Sequence, residues 1–462
     1  MKYKRTIIKT TAYLTILLLF TGGSSPFRGL GGAGGNTKID SLKTVIQTAS
    51  HDTTKAKALL NLSRQLYLSN PDTAIQITEQ ALHIYKKKHI EKGITSAYNH
   101  LGVFHRIKSD YPTALDYYHK SLEIRKSLND KKGIAASYNN IGMIYTNQSS
   151  YPQALGYYFK SIKIKQELND TLNTNFANTY NNIGIIYMEQ SSYPQALGYY
   201  FKSFKIYKEL GNKKGIAASY NNIGNIYYEQ SSYPQALRYY FKSLKIKKQL
   251  GDKKGMANSY NNIGLIYHEQ SSYLQALGYY FKSLKIEVQL GDKKGMAQSY
   301  TNIGSLYSSL FEQGDSLDRV GGWAAENPGQ LLDTALYYQF KAIELEKELS
   351  DEWSMSQTLN AIGETYTMRK VFNKALRYYQ EAAMLADTIK ALQIGSEAHS
   401  GLAECYEQLG SYKLSLEHYK QYATLKDTVF NEEKSKEIGK HEARHEMEMA
   451  EIKRKQEEEE QA

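Results

Sequence analysis

The sequence contains very little cysteine, proline and tryptophan. Among its 462 residues are one cysteine, 7 prolines and 2 tryptophans. A single cysteine, Cys405, excludes an intrachain disulfide and any cluster of thiolate metal ligands. With so little proline and with 41% apolar residues, the composition is typical of a folded helical protein and not of a disordered chain.

The formal net charge of +11 comes mainly from the middle of the chain. Lysines recur there at fixed positions of a repeat, such as Lys160, Lys202, Lys242 and Lys282. Lysines in this arrangement are typical of the solvated outer face of a helix. We therefore predict no nucleic-acid partner.

The N-terminus has the pattern of an export signal. Four cations, Lys2, Lys4, Arg5 and Lys9, precede the apolar run 12–20, which is followed by small residues. The run is shorter than the ~20 residues that span a bilayer. Residues 1–25 are therefore predicted to be a secretory signal peptide of a periplasmic or secreted protein. The alternative is an uncleaved anchor in the inner membrane, which would be the only membrane contact. Residues 26–50, which include the glycine-rich stretch 29–35, are predicted to be a flexible linker.

The dominant feature is an internal repeat of 40 residues. Its register is marked by Gly102, Gly142, Gly184, Gly224, Gly264, Gly304 and Gly363. The spacings are 40, 42, 40, 40, 40 and 59, and the same frame reaches Ser63 and Ala403 at the two ends. A fixed period of this length indicates a stack of similar structural units.

Each repeat carries two helical patterns. In the unit around Gly224, the residues that share one face of the first helix are Tyr220, Ile223, Gly224 and Tyr227. Pro234 lies where a second helix would begin, a position at which its missing N–H has no cost. The apolar seam of that second helix is Ala236, Tyr240 and Ser243. Neither helix can bury its face alone, so stacking must stabilise both.

This order of residues resembles the tetratricopeptide repeat family, whose signature is an aromatic residue, a Leu-like residue, Gly, Tyr, Ala, an aromatic and a small residue. It recurs as Tyr138, Ile141, Gly142, Tyr145, Ala154, Tyr158 and Ser161. The 40-residue period and the Gly-Asp/Asn-Lys-Lys-Gly linker look like the subclass found in Pins/LGN-type spindle-orientation scaffolds and bacterial signalling proteins.

The resemblance implies an all-α fold, a right-handed α-α solenoid of about nine helix pairs. The predicted array covers residues 51–430, with an insertion at 312–331 inside the repeat that starts near 297. Residues 431–462 are predicted to form a charged helix with only a weak seam of the coiled-coil type. This tail resembles the stalk that leads to a membrane helix in bacterial tetratricopeptide sensors.

In this family the first helices line a concave groove that grips peptides. The resemblance therefore assigns a candidate site to Asn140, Asn182, Asn222, Asn262 and Asn302. Glu189, Glu229 and Glu269 lie further along the same helices, beside Tyr228 and His268. An amide side chain both donates and accepts, so it pairs with a peptide backbone whatever the peptide's sequence. The opposing interpretation is that near-identical repeats simply share solvated asparagines.

One motif suggests catalysis. Residues 441–445, His-Glu-Ala-Arg-His, match the zinc-protease pattern, but they lie in the charged tail with no later histidine to serve as a third ligand. We predict no metal, no cofactor and no enzymatic activity. The predicted function is a protein-interaction scaffold that binds a peptide or partner protein in its groove. The alternative is the extracytoplasmic sensory portion of a signalling receptor that lacks its membrane and output parts.

Overall fold

The structure is a computed structural model that describes residues 33–67, 69–313 and 328–430. Every regular element in these residues is an α-helix. The predicted signal peptide (1–25), most of the insertion and the tail (431–462) lie outside the described residues. None of the described helices is long and apolar enough to cross a membrane.

The helices are numbered here in chain order. The first seven are α1 (Ala33–Thr48), α2 (Asp52–Leu66), α3 (Pro71–Lys87), α4 (Glu91–Ile107), α5 (Tyr111–Ser127), α6 (Lys131–Asn147) and α7 (Tyr151–Glu167). The next six are α8 (Thr174–Glu189), α9 (Tyr193–Glu209), α10 (Lys213–Glu229), α11 (Tyr233–Gln249), α12 (Lys253–Glu269) and α13 (Tyr273–Leu290). The last six are α14 (Lys293–Glu312), α15 (Pro328–Leu349), α16 (Glu352–Met368), α17 (Phe372–Thr388), α18 (Leu392–Gln408) and α19 (412–430).

From α2 onward the described helices alternate between first and second members of nine successive pairs, which confirms the predicted all-α array. We call the even-numbered helices α2–α18 first helices and the odd-numbered helices α3–α19 second helices. The chain divides into two compact units, residues 1–144 and 145–462. Within each unit the helices pack mainly against their neighbours in sequence.

The two helices of a pair approach each other through a glycine and a tyrosine. A Cβ on Gly224 would lie 2.7 Å from ring carbons of Tyr240, so only glycine leaves room for that ring. The Tyr240 side chain is fully buried, and its hydroxyl donates to Oδ1 of Asn225 at 2.7 Å. Ser243 then donates to the carbonyl of Ala217 at 2.8 Å. The predicted seam residues therefore hold the pair together.

The turns between pairs explain the Lys-Lys-Gly linker. Gly211, Gly251 and Gly291 all have φ between 62° and 64°, the left-handed conformation that ends a helix most easily at glycine. The next residue caps the following helix, as when the Asp252 side chain accepts from the Gly255 N–H at 3.0 Å. Each linker thus stops one helix and starts the next.

Two predicted boundaries differ from the structure. Residues 33–48, assigned to a flexible linker, form α1, because Leu42, Val45 and Ile46 make an apolar stripe and Ile46 packs on the core of the first pair. The glycine-rich composition just before this stripe had suggested a linker throughout. The helix after the insertion begins at Pro328, three residues before the predicted boundary at 331.

Candidate peptide-binding surface on the first helices

In the second unit the first helices also contact one another. Besides packing on its own partner, α8 contacts α10, α14 contacts α16 and α16 contacts α18. Side-chain contacts of Asn262 with Asn221 and of Asn302 with Asn261 connect α10 to α12 and α12 to α14, so successive first helices form a continuous surface. Most of the predicted site residues lie on this surface.

The predicted asparagines are engaged with a second column of asparagines. Asn222 donates from Nδ2 to Oδ1 of Asn181 at 2.8 Å, which links α10 to α8. The equivalent contacts, Asn262 to Asn221 and Asn302 to Asn261, lengthen to 3.4 Å and 3.5 Å. Hydrogen bonds of this type normally measure about 2.7–3.2 Å, so the two longer contacts are weak. Asn182 lies half-buried at the corresponding position of α8.

The second asparagine column was missed in the sequence. Its members in this unit are Asn181, Asn221 and Asn261, each directly before a predicted site residue. The Asn-Asn pairs in the repeats were the available signal, but pairing residues 41 positions apart requires knowing how successive helices are rotated. Asn181 and Asn221 are half-buried, whereas Asn222 is only 8% exposed. Asn221 is therefore more accessible than its neighbour Asn222, whereas Asn261 and Asn262 are both buried, at 7% and 6% exposed.

Asn140 belongs to the first unit. It donates to Oδ1 of Asn99 at 2.7 Å, which repeats the same contact between α6 and α4. The contact is therefore a property of the repeat in both units. Asn140 is half-buried, like Asn302 in the second unit.

The three predicted glutamates lie in a row at the C-terminal ends of α8, α10 and α12. Burial raises the pKa of Tyr193, and the Glu229 and Glu189 carboxylates raise it further. Burial also holds the pKa of Tyr228 far above its usual range, with added contributions from Glu269 and Glu229. Each tyrosine thus lies close to two successive glutamates, which places the three carboxylates along one edge. All three are half-buried.

His268 and Tyr228 occupy the same position of successive repeats. Burial lowers the pKa of His268 to about 4, so the imidazole is neutral at pH 7. Its Nε2 lies 3.2 Å from Oγ of Ser309 on the next first helix. Tyr228 is 6% exposed, and its hydroxyl has no hydrogen-bond partner among the described residues. Neither residue adds charge to the glutamate edge.

The charges along the first helices α10 and α12 run against the helix dipole. In α10 the first turn holds Lys213 and Lys214, while Glu229 ends the helix; α12 repeats this with Lys253, Lys254 and Glu269. A helix favours anions at its N-terminus and cations at its C-terminus, by ~0.3–1 kcal/mol per charge. Folding alone would therefore favour the opposite arrangement.

The described residues contain no group of three or more His, Cys, Asp or Glu side chains arranged to hold a metal ion. The zinc-protease pattern at 441–445 lies outside them. The first-helix surface offers amide hydrogen bonding and carboxylate charge.

Comparison with known proteins identifies the repeat. A family model described as "Tetratricopeptide repeat" matches residues 93–167 and 175–249. These residues are tetratricopeptide repeats. None of the curated proteins compared with it matches its sequence.

Several solved tetratricopeptide-like structures share its fold. A Signal Transduction ATPase with Numerous Domains from Pyrococcus horikoshii, with a tetratricopeptide repeat sensor, superposes with a TM-score of 0.56 at 18% identity, over 84% of this chain and 55% of that one. The apo form of RapI superposes with a TM-score of 0.56 at 14% identity, over 86% of this chain and 98% of that one. Aspartyl phosphate phosphatase F from Bacillus subtilis superposes with a TM-score of 0.50 at 13% identity, over 87% of this chain and 96% of that one. At these identities the similarity establishes the fold.

Proposed function

We propose that this protein is a protein-interaction scaffold, and that the first helices of residues 174–312 bind an extended, basic peptide segment. The observation that carries the proposal is the row of Glu189, Glu229 and Glu269. Each lies where a negative charge opposes the helix dipole, so the dipole does not account for a carboxylate at these positions. A ligand with lysine or arginine side chains would be attracted to this edge.

The asparagine columns supply the other half of the proposed recognition. Asn181 and Asn221 are half-buried and use their side-chain oxygens within the protein. Their amide nitrogens are the groups that would donate to the carbonyl groups of a peptide backbone. Backbone pairing of this kind gives affinity, and the glutamate edge would give preference for basic side chains. The alternative, a sensory portion of a receptor, requires the same surface and differs only in what binding controls.

The test begins with selection of binders from a displayed library of random peptides against the full chain. The expected result is enrichment of lysine and arginine. Replacing Glu189, Glu229 and Glu269 together by Gln should lower the affinity of the selected peptides by about tenfold at low salt. Most of the loss should come from a slower on-rate.

The matched control is the triple change of Glu167, Glu209 and Glu344 to Gln. These glutamates are exposed on second helices, and the change removes the same number of charges. The affinity of the control variant for the selected peptides should stay within about twofold of the wild-type value, because the three replaced charges are remote from the proposed edge. The proposal would be contradicted if the selected peptides lacked basic residues. It would also be contradicted if both variants lost the same affinity for them.

A further inference from the structure

The outer surface of the second helices α9, α11 and α13 repeats a basic and aromatic pattern. Each helix presents a phenylalanine, an adjacent lysine and another lysine one turn later. We call this set the basic outer surface; it consists of Phe201, Lys202, Lys205, Phe241, Lys242, Lys245, Phe281, Lys282 and Lys285. The three phenylalanines are 43%, 39% and 39% exposed although they are large apolar side chains.

The lysines of this surface have no carboxylate partner among the described residues. Helix α11 contains no acidic residue, and the single acid of α13, Glu287, is buried. By contrast, two lysines of the first helices are paired: Lys254 lies 2.8 Å from Asp292, and Lys293 lies 2.6 Å from Glu348. Positive charge on the outer surface is therefore uncompensated within the fold, and it attracts an anionic partner.

The aromatic rings nearby are already used by the protein. The Lys242 ammonium lies 5.2 Å from the ring centre of Tyr239 and 5.4 Å from that of Tyr220. Phe241 meets Tyr279 edge to face at 6.3 Å. Single-stranded nucleic acid needs open ring faces for base stacking, and phosphates favour the bidentate fork of arginine. These contacts disfavour a nucleic-acid partner.

A membrane surface also fits poorly. Interfacial helices present a broad apolar face flanked by cations. Here each helix offers one phenylalanine, and two lysines lie beside it on the same face. Alternating apolar and cationic side chains are instead complementary to alternating apolar and anionic ones.

We propose that the basic outer surface binds an acidic protein segment in which carboxylates alternate with apolar side chains. The carboxylates would pair with the lysines, and the apolar side chains would cover Phe201, Phe241 and Phe281. This surface lies on the second helices and the proposed peptide site on the first helices, so two different partners would be able to bind one molecule.

The test uses the full chain and a fluorescent peptide of repeated Glu-Glu-Leu-Ala units. Changing Lys205, Lys245 and Lys285 together to Gln should weaken binding by about tenfold or more, by loss of three charge pairs. These lysines are exposed, so the fold should be unaffected. The matched control changes Lys213, Lys214 and Lys253 to Gln; these are exposed on first helices, and binding should change by less than about twofold.

Competition identifies the class of partner. An unlabelled oligothymidylate and vesicles of phosphatidylglycerol should displace the peptide only at much higher concentration. The proposal would be overturned if either competitor bound more tightly than the acidic peptide. It would also be overturned if the two triple variants lost the same affinity for the peptide, or if the peptide did not bind.

Discussion

At the scale of single residues, a close contact between a glycine and a tyrosine sets the packing of several helix pairs. Gly224 is buried against the ring of Tyr240, and the same contact recurs between Gly184 and Tyr200 and between Gly264 and Tyr280. The buried ring hydroxyl of Tyr240 is satisfied by Asn225 of the first helix. The tyrosine therefore has one position available, and the glycine provides the space for it.

Changing Gly224 to Ala should destabilise the protein by about 2–3 kcal/mol, because the added methyl overlaps the Tyr240 ring and the ring has no other place to go. The control is Gly198→Ala on α9, where a Cβ would meet nothing within 4 Å. That change should raise stability by up to about 1 kcal/mol, since alanine favours the helix over glycine. Urea unfolding followed by circular dichroism measures both. A similar effect of the two substitutions would refute the packing explanation.

At the scale of elements, a buried polar residue joins several of the second helices to the next first helix. Its identity changes from repeat to repeat although the surrounding sequence is nearly constant. At this position Lys247 donates to Ser259 at 2.9 Å, Glu287 accepts from Ser299 at 2.6 Å and Glu346 accepts from Thr358 at 3.0 Å. Burial lowers the pKa of Lys247 to about 8 and raises that of Glu346 to about 7. The junctions therefore respond to pH in opposite directions.

Glu346 gives a specific pH dependence. Its pKa is higher in the folded than in the unfolded chain, so folding disfavours the carboxylate. The unfolding free energy should consequently fall as pH rises from about 4.5 to 7, by on the order of 2 kcal/mol for this group. Glu346→Gln should reduce the measured slope by this group's share, because Glu397, whose pKa burial also raises to about 7, keeps its own contribution. The exposed Glu344→Gln on the same helix should leave the slope unchanged. Urea midpoints measured across this pH range provide the check. If Glu346→Gln left the slope unchanged, Glu346 would not be a buried carboxyl group with a raised pKa.

Sequence reasoning reached some of these features and missed others for physical reasons. The helix pairs followed from Gly224, Pro234 and Tyr240, because packing constraints repeat locally every 40 residues. The asparagine contacts and the Glu346 junction join different repeats, and they depend on the rotation of one helix against the next. Helix α1 was missed because its stripe is short and follows a glycine-rich segment.

At the scale of the whole molecule, charge separates the two candidate surfaces. The first helices α8, α10 and α12 carry glutamates at their C-terminal ends, and, among the described residues, the second helices α9, α11 and α13 carry lysines without a carboxylate partner on their outer surface. Opposite charges on different surfaces suit a scaffold that holds more than one partner. In a repeat array each unit contacts mainly its neighbours, so every added repeat extends both surfaces by one more unit.

The most direct test of the central proposal is to map where a bound basic peptide lies on the unmodified protein. A peptide selected from the display library would be resynthesised with photoreactive leucine, irradiated in complex with the full chain and located by mass spectrometry. The account predicts cross-links within Thr174–Glu189, Lys213–Glu229 and Lys253–Glu269. Cross-links confined to the second helices Tyr193–Glu209 and Tyr233–Gln249 would contradict it.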